Sequence, residues 1–257
     1  MTRGILIAGN DSTLFSATAA ETVKRVESFA SAIIPNRFPL PEPAAEVRQG
    51  RGARGEPQSS RASVGVPPAG GAGVLPPRTE AAGSIPLSWN PASPISARTL
   101  MLAAENRLAQ INDAIIICSP PAVFKTPENL LPEEIEILVN DHIRGWFFLI
   151  RELVLYFRRC GEGSLSLVVP ETPVDGKNAA ADLLGPSASA SFRAFASGVL
   201  TQGGQASPAG EPFKVMGFTT AEAGSEGDFA AWFFKIIDEG APKNSGRWHK
   251  YSKRKFF

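Results

Sequence analysis

Few residues in this chain belong to types that do chemistry, and their spacing narrows the options further. It has two histidines, His142 and His249, and two cysteines, Cys118 and Cys160. Distant histidines and cysteines without ligand spacing do not make a metal centre. Cys118 closes the apolar run Asp113-Ala-Ile-Ile-Ile-Cys118, at the end of a central strand, where open α/β sheets bind their ligands. No histidine stands close in sequence to activate it, so a buried, inert thiol is expected. His142 is read as a helix-surface residue. The segment Gly9-Asn10-Asp11-Ser12-Thr13-Leu14-Phe15 follows the first strand directly. One glycine at such a turn lets backbone approach a phosphate, but Phe15 adds bulk and Asp11 adds like charge. Tyr251 and Lys255 stand four apart, a spacing that on a helix puts two side chains on one face. They follow the last expected helix with no helix of their own, so the pair is set aside as a chance match. Tyr156 lies inside a long helix, and Gly161-Glu-Gly163 reads as the turn that ends it.

The elements that must position these residues alternate strand and helix. Gly4–Ala8 is expected as a strand, Ser12 to Phe29 as a helix, and Ala32–Ile34 as a short second strand. After Ile85–Trp89, a helix over Ile95 to Gln110 leads into the strand beginning at Asp113. Pro132-Glu-Glu-Ile-Glu opens a long helix to Arg159, with proline and acids where a first turn tolerates them. Gly163–Val169, Phe213–Phe218 and Gly246–Tyr251 are expected as strands, separated by helices over Ser187 to Leu200 and Asp228 to Glu239. Repeated strand–helix units predict an α/β protein: a doubly wound parallel sheet with helices on both faces. One block differs. Residues 39–83 hold eight prolines and eight glycines among 45 residues, with scattered arginines. That composition predicts a disordered Pro/Gly/Arg-rich insertion within a single domain spanning residues 1–257.

Composition excludes several classes. At 257 residues, 43% apolar and 20% charged, the chain suits one globular domain. Twenty-six basic against twenty-five acidic residues leave no net field for a polyanion, and nucleic-acid binding is not expected. No apolar run reaches the roughly 18 residues of a membrane span. The chain begins on a strand without a basic and apolar leader, which predicts a cytoplasmic protein. Two cysteines make no disulfide framework.

The stretch from Asp113 to Pro170, strand then long helix then strand, resembles the middle of a short-chain dehydrogenase/reductase, and the resemblance extends over most of the chain outside the insertion. It implies a Rossmann-like fold, an NAD(P) cofactor and a site built from a serine, a tyrosine, a lysine and an asparagine. Set on this sequence, the resemblance finds most of those places vacated. Of the family's Thr-Gly-x-x-x-Gly-x-Gly turn only Gly9 stands, with Thr13 and Phe15 where later glycines belong. Phe192-Arg-Ala-Phe195 resembles the helix face after Tyr-x-x-x-Lys, which puts Gly185 in the tyrosine slot and Ser189 in the lysine slot. Neither does that chemistry, because glycine has no side chain and serine no charge to hold a phenolate. Pro170 falls in the serine slot. Ile117-Cys118-Ser119-Pro120 replaces the Asn-Asn-Ala-Gly turn. Asn140 alone agrees, and is expected to help bend the long helix. Arg37, after the second strand, replaces the acid that holds a ribose hydroxyl and can face a 2′-phosphate. The cofactor candidates are therefore Gly9, Asn10, Arg37 and Ser119, and no metal is expected.

The leading expectation is a catalytically degenerate protein of this fold with a binding or scaffolding role. The alternative is a divergent NAD(P)-dependent oxidoreductase using Ser119, Thr172 or Asp11. Two surfaces point to interactions. The second half of the 132–159 helix is apolar almost all round, more than the stripe of roughly 100° that one sheet covers. With the 187–200 helix it is expected to form a homo-oligomer, as the resemblance implies. Residues 243–257 carry six Lys/Arg and no acid, a basic tail that, like the insertion, can hold a protein partner.

Overall fold

The computed structural model describes residues 3–34, 37–38, 83–171, 182–203, 213–220 and 224–252. Of the expected insertion, only Gly83 lies inside these ranges; Asn36, Thr172 and residues 253–257 lie outside them.

Among the described residues, seven short segments form strands: β1 (Ile5–Asn10), β2 (Phe29–Ile34), β3 (Ser84–Leu87), β4 (Asp113–Ile117), β5 (Ser164–Pro170), β6 (Lys214–Thr220) and β7 (Arg247–Tyr251). They pair in the order β3-β2-β1-β4-β5-β6-β7, parallel throughout, so the expected sheet is present. β1 and β4 are buried along their whole length, as strands covered on both faces must be. Chain order reverses between β1 and β4, and this opens a crevice at the carboxyl ends of the two strands.

The helices are α1 (Thr13–Val23), α2 (Pro94–Leu108), α3 (Pro132–Ile137), α4 (Gly145–Cys160), α5 (Leu184–Gly203) and α6 (Glu226–Glu239). One apolar core joins β-strand side chains to Leu100 of α2, Trp146 and Leu153 of α4, and Phe192 of α5. The other joins the opposite face to Leu14 and Phe15 of α1 and to Phe229, Phe233 and Phe234 of α6. Trp146, Phe157, Phe192 and Phe233 are fully buried, each contributing roughly 1.5–3 kcal/mol of transfer free energy. Among the described residues, no helix is long and apolar enough to cross a membrane.

Several boundaries depart from expectation for identifiable reasons. α1 ends at Val23 rather than Phe29, because the backbone N–H groups of Arg25 and Val26 both return to the Thr22 carbonyl. That close frees Phe29 and Ala30 to extend β2 ahead of Ala32, in register with Leu6 of β1. α5 starts at Leu184 because the Asp182 carboxylate accepts the N–H groups of Leu184 and Gly185. The expected single helix over 132–159 is interrupted: Leu138–Arg144 is π-helical between α3 and α4.

Candidate functional site

At the β1/β4 switch, side chains of the chain itself pack against Gly9 and Asn10 at the end of β1. Ser12 caps α1, its hydroxyl accepting the Phe15 N–H at 3.2 Å. This first turn sets the Phe15 ring directly over Gly9, and a Cβ at Gly9 would lie 2.6 Å from Phe15 Cδ2. The glycine thus serves close approach by a phenyl ring. Phe15 is buried in the second core, while Asp11 and Thr13 are exposed.

Asn10 ends β1 and joins three elements. Its Oδ1 accepts the backbone N–H of Ser119, beyond β4, at 3.2 Å. That acceptor role fixes the amide's orientation, so Nδ2 donates to Nδ1 of His142 at 3.1 Å. With Nδ1 an acceptor, the neutral ring carries its proton on Nε2. Nε2 is buried and has no hydrogen-bond partner among the described residues. The His142 ring packs beside Phe38, centroids 5.9 Å apart. Burial lowers the His142 pKa to about 4, so the imidazole is neutral at physiological pH.

His142 is 1% exposed, which corrects its expected place on the helix surface. A usable signal was present: His142 lies four residues after Leu138 and four before Trp146, both buried, on one helical stripe. Residue type outweighed position. Its neighbour Asp141 is equally buried, with Oδ2 3.5 Å from Nε of Arg37. Burial raises the Asp141 pKa and Arg37 opposes it. Arg37, expected to face a 2′-phosphate, therefore faces a carboxylate of its own chain. The π-helical stretch is thus pinned to the ends of β1 and β2 at two adjacent residues, and π-helical turns of this kind recur at functional sites.

The remaining expected residues do not converge. Asn140 lies in the π-helical stretch, where its Oδ1 accepts from Nη1 of Arg144 at 2.7 Å. Pro170 ends β5 opposite Thr220. Gly185 and Ser189 are on α5. A Cβ at Gly185 would meet Asp182 Oδ2 at 2.2 Å, so no larger side chain fits there without displacing that carboxylate. Asp182 Oδ1 also accepts the Val123 N–H, tying the segment after β4 to the start of α5. Cys118 is buried and desolvation pushes its thiol far above the ordinary range, as expected for an inert cysteine. Tyr251 is buried at the end of β7 and Tyr156 accepts the Ile111 N–H at 2.8 Å; neither enters the crevice. Among the described residues, no group of three or more His, Cys, Asp or Glu could hold a metal. Among the described residues, the crevice thus holds a neutral imidazole and a buried carboxylate, and no nucleophile paired with a base.

The architecture defines a doubly wound, Rossmann-like α/β protein. Its fold is that of the short-chain dehydrogenases/reductases, as three solved structures illustrate. An NADH-dependent reductase, A1-R′, complexed with NAD superimposes with a TM-score of 0.63 at 10% identity, over 97% of this chain and 95% of that one. A short chain dehydrogenase from Mycobacterium smegmatis gives 0.63 at 10%, over 99% and 94%. The 3-ketoacyl-(acyl-carrier-protein) reductase from Brucella melitensis, complexed with NADH, gives 0.64 at 11%, over 96% of each chain. No protein-family model matches the chain, and no curated protein sequence does.

Proposed function

We propose that this chain is a non-catalytic protein of the short-chain dehydrogenase/reductase fold, acting as an oligomeric binding or scaffolding protein. The observation that carries the reading is the Phe15 ring seated on Gly9, where a dinucleotide's pyrophosphate would need open backbone. The Asn10–His142 contact supports it by filling the adjacent crevice from above. So does the crowding at Gly185, the position aligned with the family's tyrosine. Oligomerisation is supported by the outer faces of α4 and α5, where Phe147 and Phe195 stack at 4.1 Å and remain half-buried while Leu155 is exposed.

The test is a titration of the purified protein with NADH and NADPH, reading nucleotide fluorescence and thermal stability together, with light scattering for mass. A folded oligomer that shows no saturable binding at millimolar nucleotide supports the reading. Saturable binding with a raised melting temperature overturns it.

A second reading, a divergent NAD(P)-dependent oxidoreductase, has support from the fold itself, since neighbours of this architecture were solved with NAD and NADH. It requires Phe15 and the pinned π-helical stretch to move aside for cofactor. Gly9, Asn10, Arg37 and Ser119 would then line its path.

A further inference from the structure

We propose that the apolar patch at the carboxyl edge of the sheet, formed by Phe124, α3 and the start of α5, is a docking site for the chain's own Lys253–Phe257 segment. The patch is unusual for a monomer's surface. Phe124 is 69% exposed, Leu131 47%, Ile135 44%, Val139 38% and Leu183 37%. Leu131, Ile135 and Val139 recur every four residues, so they share one face. The Lys125–Glu134 pair, at 2.8 Å, ties Phe124's segment to α3. A β-bridge between Phe124 and Asp182 brings Leu183 alongside. Beneath them Val123, Leu138 and Leu184 form a small core of their own. A contiguous exposed apolar group of this kind marks a contact surface rather than ordinary scatter.

The rim indicates what covers it. Glu128 and Glu136 are exposed beside the patch, and neither has an ion pair among the described residues. Apolar centre and acidic rim call for an occupant with the opposite pattern: basic residues joined to large apolar ones. Lys253-Arg-Lys-Phe-Phe257 has that pattern. Reach agrees with charge. All seven strands are parallel, so β7 delivers Tyr251 to the same edge of the sheet that β4 and β5 open onto the patch. Three inter-strand spacings separate β7 from β4, about 14 Å. Six residues from Ser252 onward extend to about 20 Å. The tail is thus long enough to cross the sheet edge from β7 to β4, beyond which the patch lies.

Zero-length carbodiimide crosslinking of the full chain tests this, on an equal mixture of ¹⁴N- and ¹⁵N-labelled protein read by mass spectrometry. The ion pairs Lys125–Glu134 and Lys250–Glu171 serve as internal controls, since they must crosslink in the folded protein. The expected result is a link from Lys253 or Lys255 to Glu128 or Glu136 that carries one isotope only. Substituting Phe256→Ser together with Phe257→Ser should lower its yield about tenfold, through loss of the apolar contact, with the control links unchanged. Mixed-isotope links would assign the patch to a second copy and overturn same-chain docking. Control links without any tail link would overturn tail docking altogether.

Discussion

Replacing His142 with glutamine isolates the largest titration in the crevice. In the folded protein burial holds the imidazole's pKa at about 4, against an ordinary value of 6.5 that the unfolded chain restores. The folded pKa is the lower one, so the unfolded state binds the extra proton between these values. Stability is therefore full above about pH 6.5 and is lost as pH falls toward 4. With a drop of this size, the wild-type protein should lose about 2 kcal/mol at pH 5 and about 3 kcal/mol at pH 4 through His142 alone. Asp141 acts in the opposite sense. Its raised folded pKa means that ionising it, as pH rises above the carboxylate range, costs stability. Comparing His142→Gln with wild type at the same pH cancels that contribution. Glutamine keeps a carbonyl to accept from Asn10 and does not titrate. Urea unfolding followed by tryptophan fluorescence at pH 7.5 and pH 5 measures both proteins. Wild type should fall by about 2 kcal/mol more than the variant between the two pH values. Parallel losses in the two proteins would refute the buried, neutral histidine and the tautomer argued from it.

The remaining predictions concern packing. Phe15→Ala removes a buried ring over Gly9 and should destabilise the protein by about 3–5 kcal/mol in the same urea assay. Gly185→Ala should cost about 1–3 kcal/mol, because its Cβ meets the Asp182 carboxylate. In an Asp182→Ala background that cost should shrink markedly, a coupling that a double-mutant cycle reads directly. Tyr156→Phe leaves the Ile111 N–H without its acceptor and should cost about 1–3 kcal/mol by thermal or urea unfolding.

Much of the fold is legible because it follows from local patterns. Asp113–Ile117 and Ser164–Pro170 are short, apolar and bounded by polar turns, and both are buried strands. Pro132 and the acids after it open α3 where they stand in the chain. The misreadings arise where tertiary contacts overrule composition. Phe29 and Ala30 suit a helix as well as a strand, and pairing with Leu6 of β1 decides the matter. The π-helical stretch has no composition of its own; it is held by the contacts of Asp141 and His142 with residues more than 100 positions earlier in the chain. The pairing of Arg37 with Asp141 is hidden for the same reason. Phe15 was legible as an obstacle, but the ring's seat on Gly9 needed the helix start that Ser12 fixes.

The groups at the carboxyl edge fit one another in pairs. Gly9 has no side chain where Phe15 needs the room, and Gly185 has none where Asp182 does. Asn10 offers an amide whose oxygen is taken by Ser119, leaving its nitrogen for His142. A site that had only lost its function would be expected to contain voids or stranded polar groups, since protein interiors tolerate neither without loss of stability. Here two adjacent residues keep a buried polar atom without a hydrogen bond among the described residues: Nε2 of His142, and Oδ2 of Asp141, which lies 3.5 Å from Nε of Arg37. The small residues are matched to the large ones that use their space. Single substitutions at either place should therefore cost stability: a smaller residue at position 15 leaves a cavity over Gly9, and a larger one at 185 collides with Asp182. Only paired changes can exchange one arrangement for the other, which is the behaviour of tightly packed neighbours.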